Sequence, residues 1–281
     1  MTKIIAANWK MNNTFDETDE WLDVFFKGYA TNYDQCKKVE MLLCPPAILL
    51  DYIDSELMED GFQFLETVIK KEGRTIEAVS AEEINKIVVE GRNLKLCGQD
   101  CHFEDSGSFT GDVSAGMLKK VGCEYVIIGH SERRGNHQES NEIVAKKISA
   151  ALKQGLTPIL CVGESKEIRD AGKHLHFVYQ QIMQSIPTDV KIEKLILAYE
   201  PIWSIGTGAV PTNEQIAEMS KLIKKIFAEK FSGKVSQHFI LYGGSVTSQN
   251  SAEILKISGI DGLLVGKASL DAAEFLKISL S

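Results

Sequence analysis

A chain of 281 residues, 44% hydrophobic and 25% charged, has an ordinary globular composition and the length for one large α/β barrel domain or two smaller domains. Its formal net charge of −8 argues against nucleic acid or an anionic membrane as partner, though a small anionic substrate needs only local positive potential. No apolar run reaches the roughly 20 residues of a membrane span, the start MTKIIAANWK lacks the apolar core of an export signal, and six cysteines without paired spacing read as free thiols of a reducing, cytoplasmic compartment.

Eight short apolar runs recur along the chain: 3–8 (KIIAAN), 39–44 (VEMLLC), 94–98 (LKLCG), 125–129 (YVIIG), 157–162 (TPILCV), 195–200 (LILAYE), 239–243 (FILYG) and 262–266 (GLLVG). Each is nearly continuous rather than alternating, the pattern of strands covered on both faces. Longer stretches between them have helical spacing, as in 142–153 (EIVAKKISAALK). Trp21 and Phe25, at i and i+4, predict a core stripe on the first helix, whereas His174 and His176, in a charged stretch, are expected at the surface. Eight strand–helix alternations predict parallel strands with right-handed crossovers, and eight is the number that closes a (β/α)8 barrel. An open doubly wound sheet is the alternative.

One interval is too long. Pro45 to Asn93 spans 49 residues, with the surplus at about 59–92. It contains an apolar stretch at 62–71, a stop at Gly73 and a second helix start at Ser80-Ala81-Glu82-Glu83, which has capping-box spacing. This predicts an extra helical insertion between helix 2 and strand 3 of a single domain, 1–281. An insertion there lies on the N-terminal face of a barrel, away from the loops that carry chemistry. A docking element for a partner is the competing reading.

Chemistry-bearing residues stand where strands end, the rim on which a barrel builds its site. Asn8 and Lys10 follow the first run; His130, Ser131 and Glu132 the fourth; Glu200 ends the sixth; Gly243-Gly244-Ser245 the seventh; and Gly266-Lys267 the eighth. Pro201 after Glu200, an apolar segment 202–205 and Gly206-Thr207-Gly208 suggest a carboxylate base beneath a lid whose amides meet an anion. Singly, each residue has an ordinary structural explanation; a closed barrel would bring all of them together. Gly262 to Lys267 is one residue too short for a P-loop. Cys97, Cys101 and His102 lack a second ligand pair for a metal, and Cys161 reads as a small packed residue.

ANWKMN at 7–12, GHSERR at 129–134, AYEPIWSIGTG at 198–208 and YGGSV at 242–246 resemble the signature segments of the triosephosphate isomerases, with GSFTGDVS at 107–114 and CVGE at 161–164 similar to two further stretches. The resemblance runs nearly end to end except for the insertion, and implies a closed (β/α)8 TIM barrel. It further implies cofactor-free interconversion of dihydroxyacetone phosphate and D-glyceraldehyde 3-phosphate, in glycolysis and gluconeogenesis, by a cytoplasmic homodimer. On the matching positions, Glu200 would be the general base, and His130, as a neutral imidazole, and Lys10 the oxyanion donors. Glu132 would orient Lys10 or relay protons, and Asn8 would hold it. Gly206, Ser245, Gly266 and Lys267 would bind phosphate through their amides. Thr110 would centre the interdigitating dimer loop. Lys267 replaces the family's usual glycine, while Ser108 and Asp112 replace its usual Ala and Glu. Two other readings are a different phosphate-binding barrel enzyme, which would not require GHSERR together with Glu200, and a non-catalytic scaffold, which would not keep Glu200, His130 and Lys10.

Overall fold

The computed structural model of the chain describes residues 3–57, 69, 93–188, 190–205 and 209–281. Within them β1 (Lys3–Asn8), β2 (Val39–Cys44), β3 (Leu94–Gly98), β4 (Cys123–Ile128), β5 (Thr157–Val162), β6 (Ile192–Tyr199), β7 (Val235–Tyr242) and β8 (Gly262–Val265) form a parallel sheet that closes on itself in sequence order. The closing pair sets Ile4 beside Gly262 and Ala7 beside Val265. The sheet is therefore a closed barrel, and the open alternative is excluded.

Strand geometry sends successive side chains to opposite faces. Ile4, Leu42, Ile127, Ile159, Ile196 and Leu241 fill the interior. Ile5, Leu43, Val126, Leu160, Leu197 and Ile240 pack outward in the layer shared with the helices. This two-sided burial is why the strands read as continuous apolar runs. The closing seam needs Gly262, because a Cβ there would lie 1.8 Å from the carbonyl oxygen of Ile4. β6 and β7 begin before their apolar runs do. Their opening residues mix buried Ile192 and Val235 with exposed Glu193, Ser236 and Gln237, which breaks the continuous pattern.

The first long helix, Phe15–Thr31, starts at a capping box made by Thr14 and Glu17. It buries Trp21, Leu22, Phe25 and Tyr29, with Trp21 and Phe25 stacked at 4.9 Å, so the predicted stripe is in the core. All six cysteines are free and buried. Cys97 and Cys161 lie inside the barrel and Cys101 in the outer layer. His176 is exposed as expected, but His174 is only half-buried, because its ring packs against Glu218 at 3.1 Å. Of the expected insertion at about 59–92, only Ile69, helical and buried, is described; the start at Ser80 lies outside the described residues.

At the N-terminal end of the barrel, Glu40 of β2, Tyr125 of β4 and Lys194 of β6 point inward and join. The Lys194 ammonium lies 2.8 Å from the Tyr125 hydroxyl and 3.3 Å from Glu40, and the Tyr125 hydroxyl donates to Glu40. Lys194 also sits over the ring of Phe239, 5.3 Å from its centre.

Candidate active site

Lys10 leaves β1 with φ at 55°, a left-handed conformation that costs a non-glycine residue about 1–3 kcal/mol and persists only where its surroundings enforce it. Here they do. Asn8 Oδ1 accepts from the Lys10 amide at 3.1 Å, and Gln99, first after β3, donates from Nε2 to the carbonyls of Lys10 and Cys44, both at 2.8 Å. The ammonium so aimed meets Glu132 Oε1 at 2.5 Å.

β4 delivers His130 to the start of the short helix Ser131–Asn136, where its ring caps the helix. Nδ1 accepts from the amide of Glu132 at 3.2 Å, and Nε2 lies 2.9 Å from Glu200 Oε1. An imidazole protonated on Nε2 alone satisfies both bonds. Glu200, at the end of β6, is 2% exposed, and its other oxygen accepts from the Ser131 amide at 2.9 Å. Burial is the largest influence on Glu200 and opposes its charge. His130, the Ser131 amide and Lys10 outweigh it, so the carboxyl is held below its ordinary value. Burial likewise opposes the charged form of His130, but the carboxylates of Glu200 and Glu132 prevail and raise its pKa.

These groups open into a cavity of about 520 Å³. Asn8, Lys10, His130 and Glu200 line one part of it, and the loops 243–247 and 266–268 with Ile205 line the rest. The structure thus brings together Asn8, Lys10, His130, Glu200, Ser245, Gly266 and Lys267. Glu132 does not line the cavity and touches it through Lys10. Gly206 lies outside the described residues, and Thr110 is exposed in the loop that follows β3. Lys267 opens the 3-10 turn Lys267–Leu270 and is exposed. The described non-glycine residues with positive φ are Lys10, Asn13 and Gln138, so Lys267 carries no left-handed strain. Ser245 reaches toward the segment after Glu200, its hydroxyl donating to the carbonyl of Ser204 at 2.7 Å.

Sequence reading passed over three supports. Glu164, in CVGE, is fully buried, and its Oε1 accepts from the Tyr199 hydroxyl at 3.0 Å, Trp203 Nε1 at 3.1 Å and Arg169 Nη1 at 2.9 Å. Gly163 before it admits no side chain, since a Cβ would lie 1.7 Å from the carbonyl oxygen of Glu200. Gln99 is the third. Glu164 and Gln99 both follow strand ends, so the signal that found Lys10 and His130 also marks them.

The family model of triosephosphate isomerase matches residues 3–75 and 75–280. Among curated relatives, the triosephosphate isomerase of Aquifex aeolicus is 39% identical over 282 aligned positions, covering 100% of both chains. That of Xanthobacter flavus is 41% identical over 276, covering 98% of this chain and 96% of its own. A crystal structure of triosephosphate isomerase from Bartonella henselae superposes with a TM-score of 0.77 at 35% identity, covering 99% of this chain and 98% of the other. With its barrel closed in sequence order and relatives matched over essentially its full length, the chain belongs to the triosephosphate isomerase family and is an isomerase.

Proposed function

We propose that the chain interconverts dihydroxyacetone phosphate and D-glyceraldehyde 3-phosphate through an enediolate, without a cofactor. The observation that carries this reading is a buried carboxylate and a capped imidazole 2.9 Å apart, beside a fixed ammonium, in one cavity. Glu200 takes a proton from the carbon next to the substrate carbonyl. Negative charge then develops on oxygen, where the Nε2–H of His130 and the Lys10 ammonium donate to it. Returning the proton to the neighbouring carbon, with exchange of the hydroxyl proton between the two oxygens, completes the isomerisation. A substrate lying between Glu200 and His130 separates them. With the Glu200 contact broken, burial, the Lys10 charge and the Glu132 amide at Nδ1 favour the neutral ring, and only the Glu132 carboxylate opposes them.

Asn8 holds the Lys10 backbone and Glu132 directs its ammonium. The phosphate is met by the amides of Gly206, Ser245, Gly266 and Lys267, with Lys10 adding charge. The apolar segment after Glu200, of which Ile205 lines the cavity, helps to exclude the water that would otherwise divert the enediolate. The chain works as a cytoplasmic homodimer in glycolysis and gluconeogenesis, and the loop 107–114 with Thr110 at its centre enters the second copy. Asp112 lies 3.7 Å from His102 within its own chain. Light scattering at micromolar concentration would return a dimer mass, and a monomer mass would overturn this.

The reaction is tested by a coupled isomerase assay on the wild type and Glu200→Asp. Withdrawing the carboxylate by about one methylene should lower kcat roughly a hundredfold. An inactive wild type, or an Asp variant with full turnover, would sink the reading.

A further inference from the structure

We infer that Glu218 and His174 are positioning residues for this reaction: they brace Arg169 and, through Glu164, fix the segment 199–203 that carries Glu200. This rests on Glu200 being the base, as read above. Glu164 holds that segment from both sides, taking the Tyr199 hydroxyl before Glu200 and the Trp203 indole N–H after it. Its own carbonyl accepts from the amide of Ile202 at 3.1 Å. A fully buried carboxylate with three donors on one oxygen needs a fixed countercharge, and among the described residues Arg169 supplies it at 2.9 Å. The same guanidinium lies over the Trp203 ring, 5.7 Å from its centre, so its position bears on Trp203 twice.

Arg169 stands on a helix of only five residues, Lys166–Asp170, too short to be rigid by itself. Its second arm, Nη2, is 3.4 Å from Glu218 Oε2 on the long helix Asn213–Lys230, and His174 Nε2 is 3.1 Å from that same oxygen. Glu218 is 44% exposed, so the ion pair alone contributes little energy. Its value is geometric. His174, with a side chain only 15% exposed, limits where the Glu218 carboxylate can go, and Glu218 limits where Arg169 can go. The chain His174–Glu218–Arg169–Glu164 thus ties the segment around the base to three helices outside the barrel, Lys166–Asp170, His174–Ser185 and Asn213–Lys230.

The test uses the full-length chain with Glu218→Ala, His174→Leu and His174→Gln, the last keeping a neutral donor at the reach of Nε2. Two readouts are taken: the Trp203 indole N–H resonance without substrate, assigned with Trp203→Phe, and kcat and KM separately. The resonance should move in Glu218→Ala and His174→Leu and return to the wild-type position in His174→Gln. kcat should fall about three- to tenfold in Glu218→Ala and about two- to threefold in His174→Leu, with KM within about twofold, because a misplaced base slows the step without weakening binding. His174→Gln should match the wild type. An unmoved resonance, an unchanged kcat, or a His174→Gln variant indistinguishable from His174→Leu overturns the proposal. The resonance needs no turnover, so a wild type without isomerase activity would refute the reaction and still decide whether the brace reaches Trp203.

Discussion

The two ends of the barrel interior hold nearly the same ingredients and do opposite things with them. At the N-terminal end, Glu40, Lys194 and the Tyr125 hydroxyl answer one another directly, and Phe239 takes the face of the ammonium. At the C-terminal end, Glu200, Lys10 and His130 are also an acid, an amine and a ring, but they border about 520 Å³ of open volume. Side-chain volume separates the two. Aromatic rings fill the lower end, whereas Gly243, Gly244 and Gly266 line the upper one and leave room for a sugar-phosphate. Charges and rings that satisfy one another hold strands together; the same groups held around a cavity can act on a substrate.

The largest expected effect removes the charge partner of the base. His130→Gln should cost roughly a hundred- to a thousandfold in kcat through loss of an oxyanion donor. It should also move the pH profile in a defined direction. In the wild type, Glu200 is held below its ordinary value of 4.5 because the imidazole opposes burial. Without the imidazole, burial pushes the carboxyl pKa up, and the acid limb of kcat/KM shifts to higher pH. A profile of kcat/KM against pH reads the shift; a limb that stays in place would mean that His130 does not tune Glu200.

Next in size is Gly163→Ala. The added methyl would lie 1.7 Å from the Glu200 carbonyl oxygen, and backbone has to move to admit it. Displacing the base by even about 1 Å costs on the order of a hundredfold in kcat, and the overpacking costs about 1–3 kcal/mol of stability. Assay and thermal melt together check it. Wild-type kcat would show that β5 and β6 tolerate the shift and that the upper rim is less tightly specified than the distances indicate.

How far the sequence revealed each end follows from these same residues. Lys10, His130, Glu200 and Ser245 stand after apolar runs, and strand ends meet on one rim of a closed barrel, so their convergence was legible. Glu40 and Lys194 stand at strand beginnings and look like solvated charges. Only the barrel's closure and the inward parity of β2 and β6 make them neighbours across the interior. Glu164 was visible as a motif residue without a partner, because Tyr199, Trp203 and Arg169 reach it from separate elements. The contact that half-buries His174 was invisible for the same reason: its partner Glu218 is 44 residues away in sequence.

A smaller effect is expected at the lower end. Lys194→Met leaves the Glu40 carboxylate without its cation, at a cost of about 1–3 kcal/mol, reduced by partial exposure of both side chains. kcat/KM should remain within about twofold, since the six residue steps from Lys194 to Glu200 span about 20 Å. A denaturant midpoint that falls while turnover holds supports the division between the two ends. Turnover that falls as much as stability would join them.

The smallest effect concerns Lys267, the cation in the upper rim that the family pattern does not supply. Two things separate it from Lys10. The Lys10 ammonium is fixed by Glu132, whereas Lys267 is exposed and has no ion-pair partner among the described residues. Lys10 is held in a strained conformation, whereas Lys267 opens a 3-10 turn without positive φ. Glycine at 267 therefore relieves no strain and keeps the backbone amide proposed to meet the phosphate. What it removes is one solvated charge at the mouth of an anion site, on a chain whose net charge of −8 repels the substrate. Lys267→Gly should lower kcat/KM by no more than about threefold at low ionic strength. The difference should vanish near 1 M salt, where the screening length falls to about 3 Å. A kcat/KM raised a hundredfold would show instead that the lysine obstructs the site, and that the rim works best with glycine at this position.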